Sequence, residues 1–235
     1  MSKKKIDVCL TPELVHLSDL KGKLVVVVDI FRATSCMVSG LATGINHIIP
    51  VAKVEECLAY RPQGYLLAGE RGGQKLEEFD MGNSPYEYMD ASRKGRSVAV
   101  TTTNGTLAIK KSEDAAEIII GSFLNLSSIV NYVQASPLDV VVHCAGWKGT
   151  FNLEDTTFAG AMIERLAETH AFDTDAAFMS QLLWQRGKQD LSEFLLQSAH
   201  AHRLQKFGIT KDLQFCSTID EFDVLPVLKG ERITI

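Results

Sequence analysis

The clearest pattern along the chain is a repeat of short, uninterrupted hydrophobic runs that end in polar residues. The strongest is Leu24–Asp29 (LVVVVD), in which four consecutive valines precede the aspartate. A β-branched run this short is typical of a strand buried on both faces, as in parallel sheets. Similar runs predict further strands at Ile6–Leu10, His47–Val51, Tyr65–Ala68, Ser97–Thr101, Glu117–Gly121 and Asp139–Cys144.

Segments with helical periodicity separate most of these strands, and residues 74–84 read as an irregular loop. The predicted helices are Thr34–Gly44, Lys53–Tyr60, Pro85–Ser92, Asn104–Lys111 and Leu124–Gln134. Alternation of strands and helices predicts an α/β fold with helices on both faces of a largely parallel sheet.

From Leu153 onward, the predicted elements are mostly helices. Helical periodicity covers Leu153–Thr169, Asp175–Arg186, Leu191–Gln197 and Ala199–Phe207, with one more turn over Thr210–Phe215. The tail DVLPVLKGERITI predicts a hairpin of two short strands around Lys229 and Gly230. Because no Pro/Gly/Ser-rich linker interrupts the chain, we expect the helical segment to pack on the sheet, within one domain over residues 1–235.

Composition narrows the class of protein. The 235 residues are 46% hydrophobic and carry a formal net charge of −5, so a large core is expected and a nucleic-acid partner is not. The five cysteines contain no CxxC pair, which favours reduced thiols over disulfides or a zinc site. No apolar run approaches the ~18 residues of a membrane span, and the N-terminus lacks a secretory apolar region. We therefore expect a cytoplasmic protein without a membrane partner.

Four predicted strands end in polar, glycine-rich segments, which begin at Asp29, Gly69, Thr101 and Cys144. If the strands are parallel, all four segments lie on one rim, where open α/β sheets bind their ligands. That rim would bring together two carboxylates and three cations, namely Asp29, Glu70, Arg32, Arg71 and Lys148. Such a set predicts a site for a metal ion plus a polyanion, and the glycines let backbone N–H groups approach an oxyanion.

Several of these residues have more than one interpretation. The segment TTTNGT (101–106) has the composition of an anion cradle at a helix N-terminus, or of an ordinary helix cap. Asp29 fits a structural cap, a Mg²⁺ ligand or a nucleophile. Asp155 fits a third metal ligand or an acid favoured by the helix dipole in a first turn. His143, inside a strand, is expected to be a packed core histidine.

Two well-known phosphatase patterns are missing. The cysteine-nucleophile pattern C-x₅-R needs an arginine at position 150, and Thr150 stands there. The aspartyl-nucleophile pattern D-x-D has Phe31 where its second aspartate belongs. We therefore expect Cys144 to be a buried thiol that takes no part in catalysis.

The motifs together resemble those of the 2-phosphosulfolactate phosphatase family. The resemblance rests on DxxRAT (29–34), GERGG (69–73), GNSP (82–85), TTNGT (102–106), and CAGWKG with NLEDT between Cys144 and Thr156. It implies a three-layer α/β/α sandwich with a mixed, largely parallel central sheet. It also implies a Mg²⁺-dependent hydrolysis of 2-phospho-3-sulfolactate to 3-sulfolactate and phosphate, a step of coenzyme M biosynthesis. A phosphatase for another small phospho-acid and a non-catalytic anion-binding module stay as alternatives.

The shared rim of strand ends suggests roles for individual residues in such a reaction. Asp29, Glu70 and Asp155 are expected to hold Mg²⁺, and Arg32 and Arg71 to clamp phosphate and sulfonate. The expected substrate contacts are Thr102, Thr103, Asn104, Gly105, Thr106, Asn83, Ser84, Cys144, Gly146 and Lys148. Whether water attacks directly or a phospho-enzyme forms on Asp29 is left open. A homodimer is expected only from the general frequency of dimers among soluble enzymes.

Overall fold

The computed structural model describes residues 3–235. The strands are β1 Lys4–Cys9, β2 Leu24–Val28, β3 His47–Pro50, β4 Leu66–Arg71, β5 Gln74–Lys75, β6 Ser97–Thr101, β7 Glu117–Gly121, β8 Val140–Cys144, β9 His170–Ala171, β10 Val227–Lys229 and β11 Arg232–Thr234. The helices are α1 Ala33–Ala42, α2 Val54–Leu58, α3 Pro85–Tyr88, α4 Gly105–Lys111, α5 Leu126–Ala135, α6 Leu153–Arg165, α7 Asp175–Gly187, α8 Leu191–Leu196, α9 Ala199–Gln205 and α10 Thr210–Cys216. Short 3-10 turns lie at Pro12–Leu17, Arg61–Gln63, Ala91–Arg93 and Phe123–Asn125.

All strands join one mixed sheet in the order β5-β4-β6-β3-β11-β10-β7-β2-β8-β1-β9. The strands on each side of the β10–β11 hairpin are parallel to their neighbours, apart from the antiparallel edge strand β5. The hairpin itself runs antiparallel to β7 and to β3, through Val227 opposite Ile119 and Ile233 opposite Ile48. The C-terminal tail thus joins two parallel blocks, which confirms a mixed, largely parallel sheet.

Strand β2 lies between β7 and β8 inside the sheet, and its sequence pattern explains the two layers of helices. All five of its residues are fully buried. Leu24, Val26 and Val28 face one core with side chains of α5 and α6, such as Phe158. Val25 and Val27 face a second core with side chains of α1 and α4. Because successive side chains of a strand point to opposite faces, an unbroken valine run buries both, at roughly 1.5–3 kcal/mol for each large side chain.

The helical segment after Leu153 shares a core with the sheet. Phe158, Trp184 and Leu204 belong to the same buried cluster as Val26. Helix α6 packs closely against α7, since a Cβ on Gly160 would lie 1.9 Å from the Ser180 carbonyl oxygen. Among residues 3–235, no helix is long and apolar enough to cross a membrane.

Several details of the predicted elements are wrong. Strand β4 runs on to Arg71 instead of ending at Ala68. The strands β5 and β9 are missing from the prediction, because two residues carry no periodicity and each strand exists only through pairing with a distant partner. Helix α3 ends at Tyr88 instead of Ser92, and Asp90 caps a separate 3-10 turn. Helix α6 ends at Arg165, four residues early, because the chain turns there to pair His170 with Lys4.

His143 is packed in the core, as predicted, and the cysteines are unpaired. All five cysteines are free and buried. His143 is fully buried, and its Nδ1 lies 2.8 Å from Ser112 Oγ. Burial lowers the pKa of His143 to about 4, so the ring is neutral in the core at neutral pH.

Candidate active site

A cavity of about 340 Å³ opens at the carboxyl ends of β2, β4, β6 and β8. Each of the four strand-end segments singled out in the sequence contributes to its wall, which is the geometry expected when parallel strands end together. Helix α9 closes the remaining side. The lining residues are Asp29, Phe31, Arg32, Glu70, Arg71, Gly72, Gly73, Asn83, Thr103, Asn104, Trp147, Lys148, His200, Arg203 and Leu204.

Asp29 occupies the first position after β2 and is only 6% exposed. Its backbone is fixed by Thr34, whose Oγ1 accepts from Asp29 N at 2.9 Å. Within residues 3–235, the carboxylate accepts only a long 3.4 Å bond from Ala33 N. Burial, reinforced by the charge of Glu70 and opposed by His200, raises the pKa of Asp29 to about 6. The structure therefore holds a poorly solvated carboxylate in the cavity wall, an arrangement that a bound cation would stabilise.

Position 105 must be glycine because its backbone lies very close to the Asp29 side chain. A Cβ at position 105 would lie 2.8 Å from Asp29 Oδ2 and 2.7 Å from Ala33 Cβ. The glycine of the TTNGT motif therefore serves the packing of the aspartate loop, and Gly105 is not itself part of the cavity wall.

Glu70, at the end of β4, joins two loops of the cavity. Its Oε1 accepts from the backbone N–H of Thr103 at 2.8 Å and from the Thr103 hydroxyl at 2.7 Å. Its Oε2 accepts from Gly73 N at 2.7 Å. Glu70 thus fixes the GERGG loop against the TTTNGT loop while its carboxylate stays in the cavity wall.

Asp155 lies beneath the cavity and not in its wall. The side chain is fully buried, its Oδ1 accepts from Ile30 N at 2.8 Å, and its Oδ2 accepts from Gly146 N and from Asn152 Nδ2. These bonds connect the segment after β2 with the turn after β8. Burial, together with the charge of Asp29, raises the pKa of Asp155 well above its usual range, but Asp155 does not line the cavity with Asp29 and Glu70.

The two arginines predicted to clamp anions both reach the cavity, and each also has a structural bond. Arg32 Nη1 pairs with Asp212 Oδ2 on α10 at 2.5 Å. Arg71 donates to the Glu70 carbonyl at 2.7 Å and to Thr101 Oγ1 at 3.0 Å. A guanidinium has five N–H donors, so both side chains keep donors for a ligand while their orientation is fixed.

The TTTNGT loop is only partly the cradle that its composition predicts. Thr102 and Thr106 bond each other, since the backbone N–H of each donates to the hydroxyl of the other at 3.3 and 3.2 Å. Both are buried and do not line the cavity, because their polar groups close the turn before α4. Thr103 and Asn104 do line it, although the Thr103 N–H is already bonded to Glu70.

Of the remaining predicted substrate contacts, some line the cavity and others do not. Asn83 and Lys148 line the cavity, and the Asn83 Oδ1 is buried without a hydrogen-bond partner in the described residues 3–235. Ser84 lies in a neighbouring surface groove, at the start of α3. Cys144 and Gly146 are buried behind the wall, where the Gly146 N–H is bonded to Asp155.

Helix α9 supplies cavity residues that were not predicted. His200, Arg203 and Leu204 stand at i, i+3 and i+4, which places them on one helix face. His200 Nδ1 lies 2.6 Å from Oε1 of the fully buried Glu154, so the imidazole is held by a carboxylate at the start of α6. The helical spacing of these three residues was the signal available in the sequence.

A model of the 2-phosphosulpholactate phosphatase family matches residues 9–231. The chain belongs to this family. A protein of Caldanaerobacter subterraneus subsp. tengcongensis, named probable 2-phosphosulfolactate phosphatase, is 41% identical over 217 residues, which are 90% of each chain. Proteins of the same name from Thermotoga petrophila and Thermotoga maritima are 39% and 38% identical over 223 residues, 95% of each chain.

The thiol of Cys144 is expected to be dispensable in this member of the 2-phosphosulpholactate phosphatase family. Burial and the nearby Asp155 raise the pKa of Cys144 well above its usual range, so the thiolate is scarce. Cys144→Ala should keep wild-type phosphate release, and iodoacetamide should not inactivate the native enzyme. A folded Cys144→Ala protein that has lost activity would contradict this assignment; near-UV circular dichroism would show whether it is folded.

Proposed function

We propose that the chain is a phosphatase that hydrolyses 2-phospho-3-sulfolactate to 3-sulfolactate and phosphate, with Mg²⁺ as its cofactor. Water supplies the oxygen that enters phosphate and the proton that the released alcohol carries. The observation that carries the proposal is the charge arrangement of the cavity. Two carboxylates, Asp29 and Glu70, and four cationic side chains line one small space. The names of the curated relatives support the choice of substrate.

The residues present fit a Mg²⁺ ion. In residues 3–235, no three His, Cys, Asp or Glu side chains form a ready-made metal cluster. Mg²⁺ at phosphate sites is, however, held by one or two carboxylates together with substrate and water. Asp29 and Glu70 supply the carboxylates, and Asn83 Oδ1, which has no hydrogen-bond partner among residues 3–235, is a further oxygen in the same wall. When bound, the metal would polarise the phosphoryl group and offset the charge developing on its oxygens.

The chain itself would bind and orient the phosphoryl group. Arg32 and Arg71 are fixed by Asp212 and by Thr101, so their free N–H groups are already positioned before a substrate arrives. Guanidinium groups match phosphate oxygens in a two-point geometry, and fixed donors cost no reorganisation during the reaction. Removing one such donor typically costs ~10²–10³ in rate, so Arg71→Met should lower kcat by that amount.

Phosphate release from three substrates tests the proposal. We expect the highest kcat/KM with 2-phospho-3-sulfolactate, lower values with 2-phospholactate and 2-phosphoglycerate, no activity in EDTA, and recovery on adding Mg²⁺. A higher kcat/KM with one of the other acids would identify a phosphatase of different specificity. Binding of phosphate without turnover at every Mg²⁺ concentration would identify an anion-binding module.

A further inference from the structure

The four cationic side chains of the cavity differ in whether they bond to other protein groups. Arg32 forms an ion pair with Asp212, and Arg71 donates to two protein oxygens. The charged side-chain groups of Lys148 and Arg203 make no hydrogen bond or ion pair with residues 3–235, although the backbone N–H of Lys148 donates to Asn104 Oδ1 at 3.4 Å. The Arg203 Nε is buried without a partner in the same residues. The unsatisfied positive charge of the cavity is therefore concentrated on these two side chains.

Both side chains lie over the same aromatic ring. The guanidinium carbon of Arg203 is 3.8 Å from the centroid of the Trp147 indole, and Lys148 Nζ is 5.0 Å from it. Cation–π contact of this kind holds a cation in place without neutralising it. Trp147 is itself held by a tight turn, in which its backbone N and O bond to Thr150 at 2.8 and 3.1 Å.

We propose that Arg203, with Lys148, binds the sulfonate of the substrate, at the Trp147 side of the cavity. The inference rests on the proposed function, because the sulfonate is the second strong anion of that substrate. The phosphoryl group is then left to the side formed by Asp29, Glu70, Arg32 and Arg71.

The chemistry of the group explains the choice. A sulfonate is permanently charged and presents three oxygens, so it can accept from a guanidinium fork and from an ammonium at the same time. Burial lowers the pKa of Arg203 against the opposing charges of Glu70 and Glu154, and neither of these carboxylates forms an ion pair with it within residues 3–235. An anionic ligand group at Arg203 restores the missing interaction.

The test compares 2-phospho-3-sulfolactate with 2-phospholactate, which has a methyl group in place of the sulfonate-bearing carbon. Arg203→Met removes the charge and keeps an unbranched side chain that can cover Trp147. We expect kcat/KM for phosphosulfolactate to fall by about 10²-fold, mainly through KM, and that for phospholactate to change little. Arg203→Lys should recover part of the loss, and Lys148→Met should have a smaller effect because Lys148 is exposed.

Arg186→Met is the matched control, because Arg186 is an exposed arginine on α7 outside this cavity. Its kinetic constants should equal those of the wild type. An equal loss with both substrates would overturn the proposal, because it would place Arg203 at the phosphate or carboxylate. Unchanged kcat/KM for phosphosulfolactate would overturn it as well. The wild-type enzyme in the same assay tests the proposed function separately, through its turnover of phosphosulfolactate.

Discussion

Replacement of Asp29 by asparagine is expected to abolish most of the activity. The side chain lies in the cavity wall, directly after β2, and its carboxylate accepts a single long hydrogen bond from the part of the chain that the structure describes. An amide of the same shape keeps the packing but cannot balance the charge of a divalent cation. Because metal assistance is worth several kcal/mol in phosphoryl chemistry, kcat should fall by about 10³-fold at saturating substrate.

The same substitution should make the metal-free protein more stable at pH 7. The folded-state pKa of Asp29 is raised from 3.8 to about 6, so the folded protein holds this proton more tightly than the unfolded chain does. The stabilisation of the folded state by this proton is fully present below about pH 4 and is lost as the pH rises through 6. At pH 7, Asp29→Asn should therefore increase the free energy of unfolding by up to about 3 kcal/mol, and below pH 4 the difference should vanish.

Urea denaturation in EDTA, at several pH values, measures this difference. Asp114→Asn is the matched control, because Asp114 is exposed and lies outside the cavity. Added Mg²⁺ should raise the unfolding midpoint of the wild type and of the control but not that of Asp29→Asn. A destabilised Asp29→Asn protein, or one that Mg²⁺ still stabilises as strongly as the wild type, would contradict the role of Asp29.

Local patterns predicted the central sheet well because they depend on neighbours in sequence. The run after Lys23 and the run before Ala145 end within one residue of the observed strands β2 and β8. The position of the C-terminal hairpin could not be predicted in this way. Its place between β3 and β7 depends on Ile233 and Val227 meeting strands more than 100 residues away, which no local periodicity encodes.

The candidate site shows the same division. Asp29 and Arg32 follow β2, and Glu70 and Arg71 are the last two residues of β4. Parallel strands bring such ends together, so topology alone places these four residues in one cavity. Arg203 reaches that cavity only because α9 packs across it, which depends on tertiary contacts of a separate helical segment. The prediction for Asp155 did not anticipate the backbone N–H groups beside it, to which its carboxylate is bonded.

Gly160→Ala is expected to produce the largest loss of stability among single-methyl changes in the helical segment. Helix propensity alone would make alanine about 1 kcal/mol more favourable than glycine inside α6. The added Cβ would, however, lie 1.9 Å from the carbonyl oxygen of Ser180 and 2.6 Å from its carbonyl carbon. These are backbone atoms of α7, so relief requires the two helices to separate. Overpacking costs typically 1–3 kcal/mol and more where backbone must shift, so a net loss of about 3 kcal/mol is expected.

Gly187→Ala separates a backbone clash from a side-chain clash. A Cβ on Gly187 would also be too close to its neighbour, at 2.2 Å, but that neighbour is the half-buried ring of Phe194, which can rotate away. Gly187→Ala should therefore cost less than Gly160→Ala, and Phe194→Ala should reduce its cost further, whereas no side-chain truncation at Ser180 can relieve Gly160→Ala. Thermal unfolding measures both, with about 2–4 °C expected per kcal/mol.

Since α6 also carries Glu154 and Asp155, which support His200 and the loop after β2, Gly160→Ala should lower activity together with stability. Equal stability of Gly160→Ala and the wild type would show that α6 and α7 do not pack at this distance.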